Sequence, residues 1–153
     1  MAFLDVDEFL FSPRTVDIRS ILRHYRDLPG LVVWQMFFGS GGQAQRPHAA
    51  VTLSYRQRAL LSQRTSVKTI ANPRLVYKVG VHEFKFWGAE ARDTARRRVG
   101  DGVPVVNSLR INHYWSRSLE DVKKKIARGD ASTDAIRGCL ALHIRADAQH
   151  GER

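Results

Sequence analysis

Cysteine is almost absent from this chain. The single Cys139 excludes an internal disulfide and any metal centre built on thiolates. Its setting, Ile136-Arg137-Gly138-Cys139-Leu140, reads as a buried structural thiol and suits a reducing, cytoplasmic compartment. No run reaches the roughly 18 apolar residues that a membrane-spanning helix requires. The opening MAFLDVDEFLF is apolar but carries Asp5, Asp7 and Glu8 and no basic stretch, so it does not read as a secretory signal. Repeats and low-complexity tracts are missing, as are a P-loop and any helix-turn-helix, zinc or RNP-like pattern. Acid is missing over a long span. Between Asp27 and Glu83 no carboxylate occurs, while Arg46, Arg56, Arg58, Arg64, Lys68, Arg74 and Lys78 are all basic.

What is present suits one globular domain over residues 1–153. Apolar residues make up 43%, enough for a core, and the net charge is +10. A basic surface of this kind fits a solvated face, a nucleic-acid face, a diphosphate cleft or peripheral contact with anionic lipid at a membrane surface. With no nucleic-acid motif beside it, the charge alone makes a weak case for a nucleic-acid-binding module.

Periodicity predicts a mixed order of strands and helices. Phe3 to Asp7 reads as the end of a buried strand running into a polar turn. Thr15 to Arg26 has Val16, Ile18, Ile21, Leu22 and Tyr25 at helical spacing, closed by Pro29-Gly30. Leu31 to Phe38 reads as a strand, broken by Gly39-Ser40-Gly41-Gly42. Ala49 to Leu61 is helical at its start. Val67 to Ile70, Val76 to Phe86 and Leu109 to His113 read as strands, and Ala89 to Pro104 as a charged connection with Arg96, Arg97 and Arg98 as plain surface. Ser118 to Arg128 is a helix with Ser118 as N-cap, Asp121 three residues on and Gly129 as its stop. A last helix is predicted over Ser132 to Ala146.

Asp5-Val6-Asp7 carries the chemistry. Two carboxylates one residue apart beyond an apolar strand suit a hard divalent cation, Mn2+ or Mg2+, which takes oxygen ligands and keeps substrate phosphates in its shell. Glu8 adds a third acid. A solvated turn has the same appearance. So does a Walker B strand, but its P-loop is missing. A haloacid-dehalogenase-like Asp-x-Asp is followed by Thr or Gly, where this chain has Glu8-Phe9.

Four segments read together go further. FLDVDEFLF (3–11), VVWQMFFGSGG (32–42), SVKTIANPRLVYKVGVHEF (66–84) and LRINHYWSRSLEDVKKKIARG (109–129) resemble, in order and spacing, the family-92-like and related family-2-like glycosyltransferases. The resemblance covers about residues 2 to 129, and the last segment is its most specific part. It implies an α/β chain of the GT-A (nucleotide-diphospho-sugar transferase) type, with a mixed sheet and flanking helices. The chain would be its C-terminal, catalytic portion, with the N-terminal Rossmann-like half missing. The implied activity is metal-dependent transfer of a sugar from a nucleotide-diphosphate sugar to a glycan acceptor, as in surface polysaccharide synthesis. An inactive remnant of such an enzyme is the alternative, and a sheet edge left unpaired would favour self-association.

The resemblance also implies site residues. Asp5 orients ribose or metal-bound water, and Asp7 holds the metal. A late histidine completes the shell in such enzymes; His82 is the first candidate and His113 the rival, with His113 and Tyr114 otherwise facing substrate. An inverting transfer needs a base, for which Glu83 and Glu8 are the candidates. His82 and Glu83 would point to opposite faces of an extended strand. Trp34 could stack on a sugar, Gly39 and Ser40 could approach one, and Lys68 and Arg117 could stabilise the diphosphate.

Overall fold

The computed structural model describes residues 1–59, 66–80, 82–100 and 102–128. Cys139 and the helix expected over 132–146 lie outside the described residues. The described chain is α/β, with a mixed sheet and few helices. Its strands are β1 (Glu8–Phe11), β2 (Gly30–Phe37), β3 (Val67–Ala71), β4 (Val76–Val79), β5 (Phe84–Phe86) and β6 (Arg110–His113). Its helices are α1 (Ile18–Arg23), α2 (Val51–Ser54) and α3 (Leu119–Arg128). Two compact units are defined, one of Met1–Met36 with Leu60–His113, the other of Phe37–Ala59 with Tyr114–Arg153.

The first unit is built on a four-stranded sheet in the order β1-β6-β2-β3. β1 runs antiparallel to β6 with Glu8 opposite His113, and β2 runs antiparallel to β3 with Val33 opposite Lys68. All eight residues of β2 are buried, as its apolar sequence demands. Leu31 and Val33 meet Leu109 and Ile111, and Ile18, Ile21 and Leu22 of α1 pack on that cluster. Burying each such side chain contributes about 1.5–3 kcal/mol.

Three local expectations shift. The acids do not end a strand; they precede one. Asp5 to Glu8 closes a turn, with the Glu8 N–H donating to the Asp5 carbonyl at 3.0 Å and the Asp5 N–H to the Glu8 carboxylate at 3.1 Å. Phe3, Leu4 and Val6 are exposed, and β1 begins at Glu8. Helix α1 is shorter than the apolar spacing suggests, because Asp17 caps it by accepting from the Arg19 N–H, which leaves Val16 outside and exposed. The strand expected over Val76 to Phe86 is a hairpin of β4 and β5. The Gly80 N–H donates to the Glu83 carbonyl at 2.9 Å, and a Cβ on Gly80 would stand 2.7 Å from that oxygen, so only glycine closes this turn.

Gly30 is constrained by contact instead. A Cβ there would lie 2.5 Å from the Phe86 ring and 3.0 Å from the Thr69 methyl. Gly30→Ala is therefore expected to destabilise the fold by about 1–3 kcal/mol, the usual penalty of overpacking, read from urea denaturation midpoints. The charged connection is ordered by Asp93, 1% exposed, which accepts from the N–H groups of Ala95 and Arg97 and from the Arg97 guanidinium. Arg97 is thus the partner of a buried acid, not plain surface.

In the second unit, α3 has the cap that its sequence predicts. The Asp121 N–H donates to Ser118 Oγ at 3.1 Å, and Ser118 Oγ donates back to Asp121 Oδ2 at 2.9 Å. Arg46 forms an ion pair with the same carboxylate. Burial acts to raise the Asp121 pKa, but the hydrogen bonds from Arg46 and Ser118 outweigh it and hold the pKa below the usual 3.8. A depressed carboxylate stabilises the fold fully above its unfolded pKa and loses that contribution as pH falls through the folded value. Asp121→Asn should accordingly lower the denaturation midpoint at pH 6 more than at pH 3; equal losses at both would contradict this.

Candidate functional site: a polar row across the sheet

Strand alternation places the site. Along β2, Leu31, Val33 and Gln35 share one face; along β6, Ile111 and His113 do; Leu10 and Glu8 do on β1, and Ile70 and Lys68 on β3. This face is apolar over Leu10, Ile111, Leu31, Val33 and Ile70, which lie in or against one core cluster. Two residues further along each strand it becomes polar. Glu8, His113, Gln35 and Lys68 are contributed one per strand, and none is more than 9% exposed.

Burying four polar groups is tolerable only if they satisfy one another. Glu8 Oε1 accepts from Gln35 Nε2 at 2.5 Å, and Glu8 Oε2 accepts from the Asp5 N–H and lies 3.4 Å from Lys68 Nζ. Lys68 Nζ also donates to Asp5 Oδ2 at 3.1 Å. Gln35 Oε1 lies 3.2 Å from His113 Nδ1, and His113 Nε2 lies 3.6 Å from Asp7 Oδ1.

The order of these contacts sets the proton positions. A carboxylate such as Glu8 only accepts, so the Gln35 amide must present its nitrogen to Glu8 and its oxygen to His113. His113 must then donate Nδ1–H to that oxygen, which leaves the Nε2 lone pair toward Asp7 in the neutral ring. In that form Nε2 and the Asp7 carboxylate oxygen face one another, a gap that a proton on Nε2 or a bound cation would bridge. Two ligands each about 2.0–2.2 Å from one metal ion stand about 3–3.6 Å apart, the separation seen here. Three carboxylates against one ammonium leave the cluster two net negative charges when the imidazole is neutral. That matches a divalent ion. The Asp5 and Asp7 side chains, 65% and 17% exposed, lie toward solvent, and Glu8 lies inside. A carboxylate oxygen and an imidazole nitrogen, as at Asp7 and His113, are donor types that Mn2+ or Mg2+ accepts, while Asp5 is paired with Lys68. Among the described residues, no group of three or more His, Cys, Asp or Glu is placed to hold a metal, so phosphate or water oxygens would complete the shell.

The other sequence candidates are placed differently. His82 does not join Asp5 and Asp7; it is exposed in the β4–β5 turn, its Nδ1 3.3 Å from the Val67 carbonyl. Glu8 is buried with both oxygens engaged, so its carboxylate positions neighbours and has no room to act as a base. Glu83 lies in the same turn as His82 and lines an open cavity of about 500 Å³. Trp34 is 7% exposed, too buried to offer a ring face to a sugar. The residues missed were Gln35, whose signal was a lone polar side chain inside an apolar strand, and an exposed pair, Tyr77 and Trp87. Their rings lie 4.7 Å apart, and Tyr77 lines the cavity that Glu83 lines.

Gly39, Ser40, Tyr114 and Arg117 belong to the second unit. The Gly39 N–H donates to the Gln57 carbonyl, and Ser40, 1% exposed, accepts from the Gly42 N–H. Tyr114 is buried and stacks on Phe38 at 4.8 Å. Arg117 has φ 48 and directly precedes the Ser118 cap.

Comparison with protein-family models, with curated proteins and with solved structures finds no match to this chain. No helix among the described residues is long and apolar enough to cross a membrane.

Proposed function

We propose that this chain is the catalytic portion of a metal-dependent, GT-A-type glycosyltransferase, which moves a sugar from a nucleotide-diphosphate donor to a glycan acceptor. The observation that carries the reading is the facing pair Asp7 Oδ1 and His113 Nε2, 3.6 Å apart, its tautomer held by Gln35. A bound Mn2+ or Mg2+ would act as a Lewis acid toward the departing nucleotide diphosphate. Asp7 and His113 would hold it, and His113 takes the role first given to His82. Lys68 is committed to Asp5 and Glu8, so it holds the acidic turn against the sheet instead of meeting the diphosphate.

The acceptor side of the reading rests on the β4–β5 hairpin. Sugar rings pack on aromatic faces, and Tyr77 and Trp87 are 50% and 69% exposed. Glu83 lines the adjoining cavity and remains the candidate base for an inverting transfer, where Glu8 is not.

The test is Mn2+ binding followed by electron paramagnetic resonance, with and without a uridine or guanosine diphosphate sugar. Wild type should bind Mn2+, and the nucleotide sugar should tighten it. Asp7→Ala and His113→Ala should each weaken binding by at least 10-fold, and His82→Ala should leave it unchanged. Absence of Mn2+ binding by the folded wild type, or equal binding by Asp7→Ala, would overturn the reading.

A further inference from the structure

A second cavity in the first unit carries chemistry that the glycosyl-transfer reading does not use. It is open, about 540 Å³, and Arg14, Ser20, His24, Thr94, Arg96 and Ser108 supply its polar lining. No acidic residue lines it. The Arg14 guanidinium and the Thr94 and Ser108 hydroxyls border one space with no carboxylate in its lining, a set of donors suited to an anion, whereas the Ser20 hydroxyl already donates to the Asp17 carbonyl.

Two further observations point to a ligand. The Thr94 hydroxyl oxygen is buried and has no hydrogen-bond partner, a loss that a ligand accepting its proton would remove. Arg96 has φ 62, a left-handed backbone that an arginine rarely adopts. It is held there by a two-pronged ion pair to Asp27, at 2.7 and 3.0 Å, and by a hydrogen bond to the His24 carbonyl at 2.7 Å. Backbone strain kept in place by such contacts concentrates at binding sites. Asp27 neutralises Arg96, so Arg14 supplies the uncompensated charge; its Nε donates to the Asn107 carbonyl, which leaves the two terminal nitrogens for a ligand. His24 donates Nδ1–H to the Ser20 carbonyl at 2.8 Å, which leaves Nε2 as an acceptor in the neutral ring.

We propose that this cavity binds the phosphate group of a small phosphorylated molecule. Arg14 would meet the phosphate oxygens in the paired manner of a guanidinium, and Thr94 would donate its unpartnered hydroxyl. The volume exceeds what a bare phosphate fills and falls in the range of about 300–1,000 Å³ typical of small-molecule sites, so an organic portion fits beside Tyr25 and Ile21.

The test is isothermal titration of the full chain in EDTA with inorganic phosphate and, separately, glycerol 3-phosphate. Chelation leaves the acidic turn without a cation, so that site repels both probes and this inference is tested apart from the proposed function. Saturable binding of either probe is expected, weakened at least 10-fold in Arg14→Ala and several-fold in Thr94→Val. Tighter binding of glycerol phosphate would identify a phosphorylated metabolite as the source, and equal binding the free ion. Arg14 is exposed and makes one side-chain hydrogen bond, so its variants should fold, which circular dichroism checks. Failure of both probes to saturate wild type, or equal affinity in folded Arg14→Ala, would overturn the proposal.

Discussion

Lys68→Met should destabilise the fold by about 3–5 kcal/mol, the loss expected when one partner of a buried ion pair is removed. Lys68 is 3% exposed, and its ammonium is shared between Asp5 and Glu8. Methionine matches the stem in length and keeps its packing, so the loss isolates the charge. What remains is the Glu8 carboxylate, with its side chain 1% exposed and, among the described residues, no ion-pair partner besides His113. A domain holds about 5–15 kcal/mol in total, so this one change removes a large share. The second variant decides the cause. Glu8→Gln combined with Lys68→Met removes both charges and keeps an acceptor for Gln35, and should recover most of the loss. If the double variant is as unstable as Lys68→Met alone, the damage comes from packing and not from an orphaned charge. Urea denaturation of all three proteins gives the coupling energy directly.

The same cluster shows what a one-dimensional reading can and cannot reach. Features written within a few residues were legible. The Ser118–Asp121 cap is a local pattern, and α3 begins where it says. The apolar run of β2 announced a buried strand, whose observed start differs by one residue from the expected Leu31. The acids of the opening turn were chosen for their chemistry, and they lie at the polar end of the sheet. The choice between histidines was not legible, because it depends on register. Glu8 pairs with His113 only after β1 and β6, about a hundred positions apart, align antiparallel. No spacing rule connects them, whereas His82 sits nearer in sequence in a segment that looked like one strand. That segment folds back at Gly80, and in the turn the His82 ring is held at the Val67 carbonyl. Trp34 failed for a related reason. Its indole suits a sugar by composition, but a strand buried on both faces offers no open ring face.

The polar row also explains why one face of the sheet can change character without a break in the fold. Each strand donates an apolar residue and then, two positions on, a polar one, so hydrogen bonds between neighbouring side chains replace hydrophobic contact at one end. Lys68 spans from β3 to a carboxylate on β1, tying the outer strands together through side chains. Removing any one member takes a hydrogen bond or ion pair from a buried neighbour, so the row is coupled and is not four separate contacts.

Gln35→Leu should weaken Mn2+ binding about 10–100-fold, the scale of effect seen when a group that orients a metal-bound histidine is lost. Gln35 is 2% exposed and is not expected to touch the metal. Its amide receives order from Glu8 and passes it to His113, fixing the ring with Nδ1–H inward and Nε2 toward Asp7. Leucine fills the same space and makes neither bond. The imidazole then loses the acceptor that selected its tautomer, and Nε2 presents a lone pair to the metal for only part of the time. Stability should fall as well, by about 1–3 kcal/mol, because Glu8 Oε1 loses its donor inside the protein. Affinity is therefore measured at a temperature where circular dichroism shows the variant folded. A metal affinity equal to wild type in folded Gln35→Leu would show that Gln35 is only a structural hydrogen-bonding residue. A loss in Gln35→Leu alongside the larger loss in His113→Ala would place the two residues in one relay, with His113 as ligand and Gln35 as the group that aims it.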